Sequence, residues 1–176
     1  LYAKWVYKIA SIDASSIVAE YGDAVHSTIH IYRDSVDESG ENFTADLIGI
    51  SGTTIDGEVN TASDMTNLTG VTVTTGTNVI QFDTQGTRVK TVSDGEITLT
   101  FNIVDNNHPE AGVFTAKISV TLNKKTITVT GAQNTAKPYD GTTSIPLGSF
   151  RYQAEYAGGE ILENTAIQGV IVNNAT

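Results

Sequence analysis

The chain is 176 residues long and carries 20 acidic against 10 basic side chains, a formal net charge of −10. That balance works against nucleic acid and against an anionic membrane surface, both of which call for clustered Lys and Arg. Cysteine is absent, which removes disulfides, thiolate chemistry and Cys-based zinc sites together, and no apolar run reaches the roughly 20 residues needed to cross a bilayer.

Thr (26), Ile (17) and Val (16) make up about a third of the residues, while Leu supplies only 7. Side chains branched at Cβ suit a pleated sheet better than a helix, so the composition predicts an all-β fold. The opening Leu1-Tyr2-Ala3-Lys4-Trp5 has neither an initiator Met nor a signal-peptide pattern, and the chain stops at Asn174-Ala175-Thr176. It reads as a piece of something longer. The first clear strand is Val25–Arg33, with Val25, Ser27, Ile29 and Ile31 on one face and His26, Thr28, His30 and Tyr32 on the other. Thr44–Ile50 is a second candidate. Asp56–Asn67, rich in Gly, Asp, Asn, Ser and Thr, reads as a long loop with one helical turn near Ser63–Asn67. Val71–Thr74 and Val79–Phe82 follow, separated by Thr75-Gly76-Thr77-Asn78.

The strongest alternation lies in Glu96–Val104, where Ile97, Leu99, Phe101 and Ile103 share a face. Ser93-Asp94-Gly95 precedes it as a turn, with Arg88–Val92 as its expected hairpin partner. Asp105-Asn106-Asn107-His108-Pro109 breaks the ladder, because Pro has no donor and Asn and Asp favour turns. Val113–Leu122 then directs Phe114, Ala116, Ile118, Val120 and Leu122 inward and leaves Lys117 outward with Thr115 and Ser119. Seven or eight short strands within about 110 residues, punctuated by turns, indicate an antiparallel β-sandwich. A boundary falls near Asn123–Lys124. Residues 1–123 hold 6 basic and 16 acidic side chains, whereas residues 124–176 hold 4 of each. Beyond it Thr126–Thr130 opens a second pattern, and its Tyr139-Asp140-Gly141 turn echoes Tyr21-Gly22-Asp23 as a weak repeat.

Three stretches carry a resemblance. Leu1-Tyr2-Ala3-Lys4-Trp5 resembles the closing strand of the internalin-type B repeat. Lys124–Thr143, with Lys137-Pro138-Tyr139-Asp140-Gly141-Thr142-Thr143, resembles the start of the YDG domain of bacterial surface and haemagglutinin-like proteins. Between them, Glu20-Tyr21-Gly22-Asp23 and Gly112–Val120 are similar to parts of bacterial Ig-like domains. The resemblance implies three segments: the end of a repeat (1–8), an antiparallel Ig-like β-sandwich (9–123), and a second, smaller and partial YDG-like β unit (124–176). It further implies a fragment of a large modular surface protein of a Gram-positive bacterium, extracellular and wall-anchored through its parent. The partners expected are neighbouring domains of the same chain, with a glycan or host protein as the alternative. The Tyr139, Asp140 and Gly141 turn is structural in this reading, since Asp caps its own backbone, Gly tolerates positive φ, and Tyr buries its ring.

No motif gathers an acid, a base and a nucleophile. His26 and His30 have metal-pair spacing only on a helix; four strand residues span about 13 Å, too far for two imidazoles to share an ion. Calcium takes six to eight oxygens, for which this turn offers Asp105, Asn106, Asn107 and Glu110, helped by Asp37, Glu38 or Glu41; no EF-hand or G-G-x-G-x-D repeat is present, and the segment reads as a polar hairpin loop. Gly49-Ile50-Ser51-Gly52 and Gly158-Gly159 open into strands and not into a phosphate-binding helix. No G-x-S-x-G elbow occurs, and Asp37–Glu38 are loop neighbours without a facing carboxylate. A Lys–Asn isopeptide or Thr–Gln ester crosslink would need an inward-facing donor, and Lys117 points outward. The expectation is a non-enzymatic spacer without cofactor or metal; exposed aromatics at Tyr32, Tyr152 and Tyr156 would mark the alternative binding module.

Overall fold

The computed structural model describes residues 10–33, 42–133 and 151–156. The chain divides into two compact units, Leu1–Lys124 and Lys125–Thr176. In the first, the strands are β1 (Ala10–Ile12), β2 (Ser16–Glu20), β3 (His26–Arg33), β4 (Phe43–Ser51), β5 (Thr53–Thr54), β6 (Gly57–Glu58), β7 (Thr72–Gly76), β8 (Val79–Asp83), β9 (Ile97–Asp105) and β10 (Val113–Asn123). A helical segment, α1 (Ala62–Asp64), runs on as a π turn over Met65–Thr69, and a 3-10 turn spans Pro109–Ala111. The Tyr139-Asp140-Gly141 turn, Leu1–Trp5, Asp37, Glu38, Glu41 and Gly158-Gly159 lie outside the described residues.

Two four-stranded sheets form a sandwich, one ordered β1-β3-β8-β7 and the other β2-β10-β9-β4. With β1 and β2 as two halves of a first strand, this is the immunoglobulin-type order. Alternation puts one face of each sheet indoors. Ile29, Ile80 and Phe82 from the first sheet meet Ile97, Leu99, Phe101, Ile118 and Val120 from the second, all fully buried. The buried positions of β9 are Ile97, Leu99, Phe101, Ile103 and Asp105, and those of β10 are Ala116, Ile118, Val120 and Leu122. Phe114 packs partly buried against the same core. Each fully buried large aliphatic or aromatic side chain contributes about 1.5–3 kcal/mol through removal from water.

One pairing departs from an all-antiparallel sandwich. β2 runs parallel to β10, with Ser16 opposite Ser119 and Glu20 opposite Asn123. The cause is the crossover after β1. β1 pairs antiparallel with β3 only from Ala10 to Ile12. Asp13 then ends that ladder: its amide donates to the His30 carbonyl at 3.1 Å, and its carboxylate accepts from the His30 amide at 2.9 Å. The chain leaves for the opposite sheet without making a hairpin, so β2 meets the last strand running the same way.

Three further elements differ from the sequence reading. Arg88–Val92 is not the hairpin partner of β9, which is flanked by β10 and β4 along its whole length. It crosses the end of the sandwich instead, with the Val89 amide donating to the Asp23 carbonyl and the Lys90 amide to the Thr69 carbonyl. The expected loop Asp56–Asn67 also holds β6, and the helical turn expected near Ser63–Asn67 is present but longer, running from Ala62 to Thr69. Thr61 and Asp64 form a reciprocal capping box, and Met65 and Thr69 anchor the following turn in the core. β4 carries a bulge between Leu47 and Gly49, which turns Ile48 to solvent and returns Ile50 to the core.

Gly70 closes the helical segment in the left-handed region at φ +79°. A Cβ there would sit 2.5 Å from the Arg88 carbonyl oxygen. Gly70→Ala is therefore expected to cost more than the ~1 kcal/mol of left-handed strain alone, because backbone must also move. A drop in urea midpoint at unchanged slope, compared with Gly86→Ala, checks this. Gly86 also has positive φ but open space around it, so the difference isolates the clash.

In the second unit β11 (Ile127–Gln133) pairs antiparallel with β12 (Arg151–Tyr156), with Ile127 opposite Tyr156 and a register shift between Thr130 and Gln133. β12 was not legible as a strand from the sequence; of the expected Thr126–Thr130 strand, Ile127–Thr130 falls in β11, which runs on to Gln133.

Candidate functional site

Among the described residues the most concentrated polar chemistry sits where β3 and β9 end. Alternation along β9 places Asp105 at an inward position, and its side chain is only 8% exposed. Arg33, the last residue of β3, reaches across from the other sheet with 12% of its side chain exposed, and its guanidinium donates through Nη2 to Asp105 Oδ2. The guanidinium carbon lies 6.0 Å from the centre of the Phe43 ring. The other Asp105 oxygen accepts from the amides of Asn107 at 2.9 Å and His108 at 3.2 Å. A single carboxylate thus ties one sheet to the other and fixes the β9–β10 turn.

The polar side chains of the turn have partners within the protein. Asp105 is occupied by Arg33 and two amides. Asn106 donates through Nδ2 to Asn42 Oδ1 at 3.1 Å and Thr44 Oγ1 at 2.8 Å, and Glu110 accepts from His108 Nδ1 at 3.1 Å. No group of three or more His, Asp or Glu able to hold a metal occurs among the described residues.

The two strand histidines take separate roles on the outer face. His26 Nδ1 lies 2.8 Å from Asp83 Oδ2, a cross-strand pair between β3 and β8. The His30 ring sits 6.1 Å from that of Tyr32, tilted by 32°. Tyr32 itself is half-buried, and Tyr152 and Tyr156 fall in β12. A groove of about 290 Å³ between β2 and β3 is lined by residues 16–19 and 23–27. Its ionisable side chains are Asp23, which accepts from the Glu20 amide, and His26, which faces Asp83. It holds neither a nucleophile beside a base nor a converging pair of acids.

Two surface carboxylates are held below their ordinary pKa. The Gln85 amide, aided by His26, lowers Asp83 from its usual 3.8. The backbone amide of Glu110, with His108 next and Arg33 last, lowers Glu110. A carboxylate more acidic when folded contributes stability fully present above the unfolded value and lost as pH falls through the folded one. Asp83→Asn is accordingly expected to lose less stability than the parent between about pH 5 and pH 3. Urea midpoints at the two pH values measure it, and equal losses in both proteins would refute it.

Sequence reading placed Asp105 in a loop and missed its pairing with Arg33. The signal was available: Asp105 continues the inward phase of Ile97, Leu99, Phe101 and Ile103, and a buried carboxylate at such a position requires a cationic partner. No protein-family model and no curated protein sequence matches this chain.

Proposed function

We propose that the chain is a non-enzymatic spacer from a large modular bacterial surface protein, holding a distal domain away from its anchor. The observation that carries this reading is the direction of the first and last strands of the sandwich. β2 and β10 are parallel neighbours, so chain enters at one end of the slab and leaves at the other. β10 alone is 11 residues long, and at about 3.3 Å per residue the sandwich advances the chain by roughly 36 Å. A spacer also needs a self-contained core, a Thr-rich exterior and an acidic surface that discourages sticking to adjacent copies; all three suit these residues. The resemblance of Leu1–Trp5 to an internalin-type B repeat, and of Lys124–Thr143 to a YDG domain, supports the same setting.

The test is made in the parent protein displayed on cells. Deleting residues 10–123 is expected to preserve export while bringing the distal domain closer to the wall, read as reduced access to a large antibody against a distal tag. Unchanged access would count against a spacer. Binding on a glycan array that disappears with Tyr32→Ala, Tyr152→Ala or Tyr156→Ala would replace it with the binding-module reading.

A further inference from the structure

We infer that the groove between β2 and β3 takes an extended, basic peptide segment of another protein, which adds as a strand along the outer edge of β2. The site goes beyond the spacer reading and does not depend on it. Its origin is the crossover at Asp13. The row that β1 opens beside β3 is vacated there, and the gap that follows lies between β2 and the start of β3. One wall of this gap is backbone with no partner. The Ser119 amide donates to the Ser15 carbonyl at 2.9 Å and the Tyr21 amide to the Asn123 carbonyl at 2.9 Å, which sets the phase of β2. Ile17 and Ala19 therefore turn their amides and carbonyls to β10, while those of Ser16 and Val18 face away from it and take no hydrogen bond among the described residues. The stretch is closed at one end by Asp23, which stands in for a neighbouring strand: its amide donates to the Glu20 carbonyl at 3.0 Å and its carboxylate accepts the Glu20 amide at 3.1 Å.

An open sheet edge invites another strand, and proteins usually blunt it with Lys, Pro or a bulge. β2 uses none of these: it reads Ser-Ile-Val-Ala-Glu, pairs with β10 in unbroken register, and leaves Val18 67% exposed beside any strand that arrives. The groove, about 290 Å³, has an apolar floor of Ile17, Ala19 and Val25, all buried, which suits the inward side chains of a short extended segment. Charge selects the occupant. From Ala10 to Tyr32 the chain has no Lys or Arg, whereas Asp13, Glu20 and Asp23 are carboxylates. Arg88 does reach this side, but its guanidinium donates to the Gly22 carbonyl at 3.1 Å, at the turn beyond Glu20. A second copy of the chain would bring carboxylates to carboxylates and a net charge of −10 to each partner, while a segment bearing Lys or Arg is drawn in.

The probe is a fluorescent heptapeptide of alternating Val and Thr flanked by Lys, titrated with the full chain and followed by anisotropy. Binding is expected, weakening as salt is raised, with slowed hydrogen exchange at the Ser16 and Val18 amides. The same peptide methylated on alternate backbone nitrogens, or flanked by Glu in place of Lys, should not bind. Val18→Pro removes an amide that no strand of the protein uses, so the sandwich should fold and bind the Lys-flanked peptide about tenfold more weakly. Failure of that peptide to bind, equal binding of its methylated form, or slowed exchange that spares Ser16 and Val18 overturns the site. A concentration-dependent dimer of the full chain that Val18→Pro abolishes overturns it in favour of a second copy. If Val18→Pro does not fold, the methylated peptide and the exchange pattern decide. None of these outcomes touches the spacer reading, which stands or falls on antibody access.

Discussion

Asp105→Ala is expected to destabilise the sandwich by about 3–5 kcal/mol, the usual cost of removing one partner of a buried ion pair. The large value comes from what stays behind. The Arg33 guanidinium, 12% exposed, loses the carboxylate it faces, and the amides of Asn107 and His108 lose their acceptor. Each contribution has its own control. Asp105→Asn keeps a carbonyl oxygen for the two amides and removes only the charge, so it should cost less than Ala. Replacing both partners, Arg33→Met with Asp105→Leu, eliminates the buried charge altogether and is often close to neutral in such pairs. Here it should recover part of the loss and no more, since Leu cannot accept from the turn. The double-mutant cycle measured by urea unfolding gives the coupling directly. Additive single effects would show that Arg33 and Asp105 act independently, contrary to the geometry.

How far this pair and its surroundings were legible depended on whether a feature is periodic or relational. Strands β3, β9 and β10 follow from alternation, because each has one face in the core and a slip of one residue would expose all of it. Arg88–Val92 shows the limit of the same signal. Val89 and Thr91 are buried and Lys90 is exposed, as in a strand, yet the segment bonds to Asp23 and Thr69 across the sandwich end. Periodicity reports which side chains go inside and says nothing of which backbone lies alongside. The parallel direction of β2 was hidden for that reason: it depends on a crossover at Asp13 that no side-chain pattern encodes. The helical segment at Ala62–Thr69 was legible only as a single turn near Ser63–Asn67, for a different reason. Its Thr61-Ala62-Ser63-Asp64 start is a recognisable capping box, but the Thr, Asn and Asp around it favour loops on propensity alone. Asp105 was read as the first residue of a turn when it is also the last inward residue of β9, and only the second role predicts a cation beside it.

Phe101 sits at the centre of that same strand, and Phe101→Ala is expected to cost about 3–5 kcal/mol. Its ring is fully buried between the sheets, opposite Ala116 on β10 and Leu47 on β4. The small Ala116 beside it leaves the room that the ring occupies, so truncation creates a cavity that neighbours can fill only by shifting backbone. β9 is poorly placed to shift, being hydrogen-bonded to a strand on each side and tied at Asp105 to the other sheet. Phe101→Leu keeps much of the apolar volume and should retain more than half of the lost stability, whereas Ala116→Leu in the parent should overpack the same space and cost about 1–3 kcal/mol. Combined, Phe101→Ala with Ala116→Leu puts volume back where it was removed, and the pair should be less destabilising than the sum of its singles. Strict additivity would mean that the Ala116 side chain does not border the cavity. Chemical denaturation at neutral pH reads all four variants, and an unchanged slope confirms that each unfolds the same surface.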